Sequence, residues 1–91
     1  EEAPDLRCCP NPFRESAVFQ FNLTHAARVD LSVYDSYGKR IQCVLNQEVE
    51  QGRHKIPFVL LNEASGRLHG VFFARIRIDG KHSHTIKIIK N

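Results

Sequence analysis

Three cysteines and five histidines are the residues of this 91-residue chain with the widest chemical range. Cys8 and Cys9 are adjacent, and Cys43 stands in an alternating apolar run. An odd count leaves one sulfur without an internal partner, or points to an intermolecular link. Vicinal cysteines rarely bridge each other, because the ring strains the peptide between them. An internal bond would therefore join Cys43 to Cys8 or Cys9, provided that the first strand runs beside the third or fourth. The alternative is simple buried thiols. Nucleophilic use would need a nearby base and an electropositive, partly open setting.

The other candidates for chemistry are weaker. His82 and His84 are two residues apart, so on a strand they share a face and could chelate together. They flank a turn rich in Gly, Lys and Ser, where exposed polar residues are the default, and no C-x-x-C or H-x-x-x-H spacing supports zinc. His25, His54 and His69 fall at turns or strand ends. Asp30, Asp35, Glu48, Glu50 and Glu63 are spread over separate turns and polar faces, whereas acid–base work needs carboxyls in environments that push their pKa values apart. Gly-rich phosphate loops and a Gly-x-Ser-x-Gly turn are missing. The expectation is a chain with no catalytic residues, no cofactor and no metal.

The elements that would position these residues are strands. Ala17, Phe19, Phe21 and Leu23 alternate with Val18, Gln20 and Asn22, and Val29, Leu31 and Val33 alternate with Asp30, Ser32 and Tyr34. Ile41, Cys43 and Leu45 follow, then Ile56, Phe58 and Leu60, then Phe72, Ala74, Ile76 and Ile78, then Ile86 and Ile88. Period two places each set on one face of a strand, offered to a common core. A short leading strand over 6–9 brings the count to about seven, each of the few-residue length usual for strands. Asp35-Ser36-Tyr37-Gly38 predicts a hairpin on a type I turn, with Lys39 following, and Asp79-Gly80 predicts another. Gln51-Gly52 is a weaker hairpin signal. Pro12 has no N–H for a ladder and breaks the chain between the first two strands. Residues 61–69 are the one stretch that could coil into a helical turn. The fold expected is all-β, an immunoglobulin-like β-sandwich of about seven antiparallel strands.

Size and charge narrow the function. A chain this short builds one core and no deep cleft beside it. No run of residues approaches a membrane span. The net charge of +3 is carried by scattered basic residues, which gives no footprint for nucleic acid. The chain contains no Met and opens Glu1-Glu2-Ala3-Pro4, so it reads as a piece of a longer protein, with residues 1–9 as linker and first strand and 10–91 as the domain.

Four motifs follow in order: Pro10-Asn11-Pro12-Phe13; Val29-Asp30-Leu31-Ser32-Val33-Tyr34-Asp35-Ser36-Tyr37-Gly38-Lys39-Arg40; Gly70-Val71-Phe72-Phe73-Ala74-Arg75-Ile76; and Thr85-Ile86-Lys87-Ile88-Ile89-Lys90 at the end. This order resembles the C-terminal sorting domain of cargo proteins of the Bacteroidetes type IX secretion system, which is similar in turn to the immunoglobulin-like domain of flagellar hook-capping proteins. The resemblance implies a role without catalysis. The domain directs its passenger from the periplasm through the outer-membrane translocon to the cell surface, and a surface sortase-like peptidase then cuts upstream of it. A retained accessory domain of a translocon-associated or surface protein is the alternative. A homodimer through a free Cys or an edge strand stays open.

The residues expected to be read lie in the last strand. Ile86 and Ile88 point inward, while Lys87 and Ile89 point outward with Lys90 beside them. At a sheet edge such a strand offers unpaired backbone groups and a basic, apolar face, which suits strand addition by a receptor. Gly70, at the head of the third motif, belongs to the same candidate surface. The alternative for Ile89 is that it pads a neighbouring strand.

Overall fold

The computed structural model describes residues 5–60 and 69–91. It holds seven strands: β1 (Arg7–Cys9), β2 (Ser16–Leu23), β3 (Ala27–Tyr34), β4 (Arg40–Val49), β5 (Gly52–Val59), β6 (Gly70–Ile78) and β7 (His82–Lys90). All pairings between them are antiparallel, in two sheets ordered β1-β2-β5 and β4-β3-β6-β7. The constant immunoglobulin type groups the first, second and fifth strands with the fourth, and the third with the sixth and seventh. Here β4 has joined the sheet of β3, β6 and β7. The all-β sandwich expected from the alternation is the fold observed.

The inward residues of the two sheets make one core. Ala17, Phe19, Phe21 and Leu23 of β2 are buried, as are Val29, Leu31 and Val33 of β3 and Phe72, Ala74, Ile76 and Ile78 of β6. Phe58 of β5 sits between Phe19, at 4.9 Å between ring centroids, and Phe13, at 5.8 Å with an edge-on tilt. Phe13 lies outside any strand and is nevertheless buried, as is Ile88 near the end of β7. Each such side chain contributes about 1.5–3 kcal/mol through burial.

Two turns form as the residue types dictate. The Asp35 carbonyl accepts from Gly38 N–H at 3.1 Å, and its Oδ1 accepts from the N–H groups of Tyr37 and Lys39 at 2.9 Å each. Gly38 supplies φ +90° there, a region closed to most L residues. At the β6–β7 hairpin both Asp79 and Gly80 have positive φ, as central residues of a mirror-image turn do, and Lys81 N–H closes that turn on Ile78 O at 2.9 Å. Asp79 also ties this hairpin to the next strand, its N–H donating to Arg28 O and its Oδ1 accepting from Arg28 N–H, both at 2.9 Å. Gln51-Gly52 is not a hairpin: it carries the chain from β4 in one sheet to β5 in the other. The helical turn expected over 61–69 lies outside the described residues except for His69.

The expectation for Cys43 needs correction. The β3–β4 register runs from Leu31 opposite Leu45 to Ser32 opposite Cys43, so Val44 is an extra residue on β4. A bulge of this kind moves the side chains beyond it to the other face, here Cys43 and Gln42, until a second shift at Ile41. Cys43 therefore leaves the core face and is exposed, while Gln42 turns inward and its Nε2 donates to Val59 O across the two sheets at 3.0 Å. The first strand pairs with β2 and not with β3 or β4, so the condition for a bond from Cys43 to Cys8 or Cys9 is not met, and all three thiols are free. Nor are all three buried, since Cys9 is exposed as well.

Cys8 alone packs in the core. Burial, and then the neighbouring Cys9, push its thiol from 9.0 up to about 11. The fold thus holds this proton more tightly than the unfolded chain does. The resulting stabilisation is complete below pH 9 and is lost as the pH climbs toward 11. In the native protein at pH 8, iodoacetamide is expected to modify Cys9 and Cys43 and to reach Cys8 only after denaturation. Mass mapping of the alkylated peptides checks this, and equal modification of all three would contradict the packing of β1.

Candidate functional site

The sequence motif around Pro12 and the last strand lie some 76 positions apart, and the fold presses them together. β7 is the edge strand of its sheet. Its register with β6 places Val71 opposite Ile89 and Phe73 opposite Lys87. In an antiparallel ladder alternate residues turn both backbone groups away from the partner strand, and on β7 these are the odd-numbered residues.

Asn11 and Phe13 occupy those groups. Asn11 Nδ2 donates to Lys87 O at 3.0 Å, and Asn11 Oδ1 accepts from Ile89 N–H at 3.0 Å. Phe13 continues as a short parallel bridge, its N–H donating to Ile89 O at 2.9 Å and its carbonyl accepting from Asn91 N–H at 2.8 Å. The residue types explain the arrangement. Pro10 and Pro12 have no N–H to donate, so neither can extend a ladder along β7. The carboxamide between them carries a carbonyl and an N–H donor, and does the work of a missing peptide group. Phe13, the next residue with an N–H, resumes the backbone pairing and anchors the segment by sinking its ring into the core.

This arrangement corrects the expectation of a bare terminal edge. At Lys87, Ile89 and Asn91 the outward backbone groups named above already have partners. Toward the other end of β7, at Ser83 and Thr85, the same groups face outward, and no strand pairs with them among the described residues. What the terminal residues offer is their side chains. Lys87 is exposed, Ile89 and Lys90 are half-buried, and Lys90 Nζ donates to Asn91 O at 3.3 Å. Ile89 does face outward, against Val71 of β6.

The remaining predicted positions have conformational roles. Gly70 sits opposite Lys90 with φ +108°, and its Cβ position is open, so backbone freedom is what calls for Gly there. Asp35, Gly38 and Lys39 form the β3–β4 turn described above and lie apart from β7 in the sheet. His82 and His84 stand on β7 opposite Ile78 and Ile76. Among the described residues no three His, Cys, Asp or Glu side chains gather as a metal site would require. Sequence reasoning identified both motifs and missed their contact. The one clue was an Asn flanked by two prolines, a segment unable to form a ladder by its own backbone.

Asn11→Ala removes two hydrogen bonds while leaving the Phe13 bridge. At about 0.5–1.5 kcal/mol each, the expected loss is roughly 1–3 kcal/mol of unfolding free energy, read from a lowered denaturant midpoint. The Ile89 amide is expected to exchange faster with solvent, while the amide of Phe72 in β6 keeps its protection. An unchanged exchange rate at Ile89 would contradict the clamp.

The comparison with known families now meets this geometry. The family model described as secretion system C-terminal sorting domain matches residues 8–91. That span takes in the Pro-Asn-Pro segment, both sheets and the clamped terminal strand. No curated protein and no solved structure matches the chain. With nearly its whole length matched, the chain belongs to the type IX secretion C-terminal sorting domains, the signals that send proteins to the cell surface or out of the cell.

Proposed function

We propose that this domain is a non-catalytic signal whose terminal strand is read by the type IX translocon through the side chains of Lys87, Ile89 and Lys90. The passenger crosses the periplasm, passes the outer membrane, and is released at the surface when a sortase-like peptidase cuts upstream of the domain. One observation carries the reading. The last residues of the chain are fixed along a sheet edge, with their outward backbone groups taken by Asn11 and Phe13. A partner that approaches this edge meets side chains in a set geometry, two of them basic.

Burial supports a cut upstream of β1. Leu6 and Cys8 pack in the core, so cleavage ahead of Leu6 spares the sandwich, and cleavage after it would strip two core side chains. The domain proper then includes β1, and the linker is the acidic stretch before it. Among the described residues no helix is long and apolar enough to cross a membrane.

Deleting residues 87–91 removes Ile88, worth about 1.5–3 kcal/mol of burial, and every partner of the Asn11–Phe13 clamp. Loss of export by that variant would mix misfolding with loss of the signal. Lys87→Ala with Lys90→Ala is the cleaner test. Surface changes of this kind alter stability by about 0.5 kcal/mol or less, so the variant is expected to melt like wild type and to leave the passenger in the periplasm. Fractionation of cells expressing the full precursor measures this. Normal export by the double variant, and by any tail deletion that still folds, would replace the sorting reading with that of a retained accessory domain.

A further inference from the structure

The outer face of the sheet β4-β3-β6-β7 changes character along its length. Successive outward rows run across the strands as Asp30, Arg77 and Ser83, then Ser32, Arg75 and Thr85, then Tyr34, Phe73 and Lys87, and finally Val71 and Ile89. The first rows are polar, as the solvent face of an antiparallel sheet normally is. The last rows are not: Phe73 and Ile89 are half-buried, and Val71 is 41% exposed.

Charge divides the same way. At the polar end the registers set Arg28 opposite Glu48, and Asp30 opposite Arg77. At the terminal end Arg75 and Lys87 stand opposite no carboxylate, facing Ser32 and Thr85, and Phe73. Arg75 is also held in place: its guanidinium lies 5.0 Å from the centroid of the Tyr34 ring, and Nη2 donates to the Tyr34 hydroxyl at 2.9 Å. A cation fixed by an uncharged partner keeps its full charge available. Unmatched positive charge and solvent-facing apolar area thus coincide at the end of the sheet where the chain terminates.

We infer that the recognised surface extends beyond the terminal strand onto β6. Val71, Phe73 and Ile89 supply its apolar contacts, Arg75 and Lys87 its charge, and the partner presents apolar side chains rimmed by carboxylates. This rests on the sorting reading and names the chemistry of the surface that reads the signal. Interfaces commonly combine an apolar centre with a charged rim, and the rim charge governs encounter and rejects wrong partners. Juxtaposed like charges are strongly unfavourable across such a contact.

The test uses the full precursor in its native envelope. Val71→Asp sets a carboxylate against the carboxylates of the partner, and Arg75→Gln removes the held cation. Each is expected to melt near wild type and to lower export about ten-fold or more. Arg77→Gln, two residues along the same face but opposite Asp30, is expected to export normally. If Val71→Asp fails to melt cooperatively, Val71→Ser combined with Arg75→Gln takes its place with the same expected loss. Wild-type export by the Val71 and Arg75 variants, while Lys87→Ala with Lys90→Ala is retained, would overturn the extended surface and leave the sorting reading standing. An equal defect in Arg77→Gln would also overturn it, since net charge alone would then explain the loss. Wild-type export by every variant, the double Lys one included, would sink both readings.

Discussion

The carboxamide of Asn11 stands in for a peptide group along the outer edge of β7, and the order of the chain terminus depends on that substitution. Without it and the Phe13 bridge beside it, the last residues would hang from β6 by one ladder, at a position where terminal segments usually fray. With it, Lys87 and Ile89 are gripped from both sides, and Phe13 carries the grip into the core through its contact with Phe58. The start and end of the domain are thereby tied together. This is why a buried aromatic falls in a segment whose sequence otherwise reads as a break between strands.

The same clamp answers a general difficulty of open sandwiches. Edge strands invite pairing with other chains, and natural sheets blunt them with bulges, prolines, charges or covering segments. Three of these devices appear here. β4 carries register shifts between Leu31 and Ser32 and between Val33 and Tyr34 of its partner. β5 places Pro57 between the exposed Lys55 and Val59. β7 is covered over its last residues by the Asn11–Phe13 segment. Among the described residues, the stretch of β7 left uncovered, at Ser83 and Thr85, is short and polar.

How much of this was legible depended on the range of the interaction. Alternation of apolar residues is written into consecutive positions, so the strands, the inward sets of β2, β3 and β6, and the turns at Asp35 and Asp79 could all be read directly. Cys43 was misassigned because one extra residue at Val44 reverses the alternation, and neither Val44 nor its neighbours announce a bulge. Gln51-Gly52 has the residue types of a hairpin, yet the partner of β5 is β2, and no local signal distinguishes a turn within a sheet from a crossing between sheets. The clamp was hidden for the same reason. Asn11 and Ile89 meet only because the whole sandwich brings them together. The Lys87 and Ile89 side chains were placed correctly on the outward face, while the state of their backbone groups depended on a segment at the other end of the chain.

Order at the terminus matters most for what a partner must supply. Fixing a residue's backbone opposes association by roughly 1–2 kcal/mol, so a tail of five free residues would withhold about 5–10 kcal/mol from any complex that had to order it. In this domain that ordering is met during folding. Burial of Ile88, pairing with β6 and the four hydrogen bonds to Asn11 and Phe13 act on the same five residues. A surface built in this way can bind through few contacts, because none of their energy goes into straightening the chain. It also couples display to folding, since the core that buries Ile88 and Phe13 is the core that holds Lys87 and Ile89 in position. A small sandwich is then well suited to a signal role, which needs only enough core to hold one strand end still.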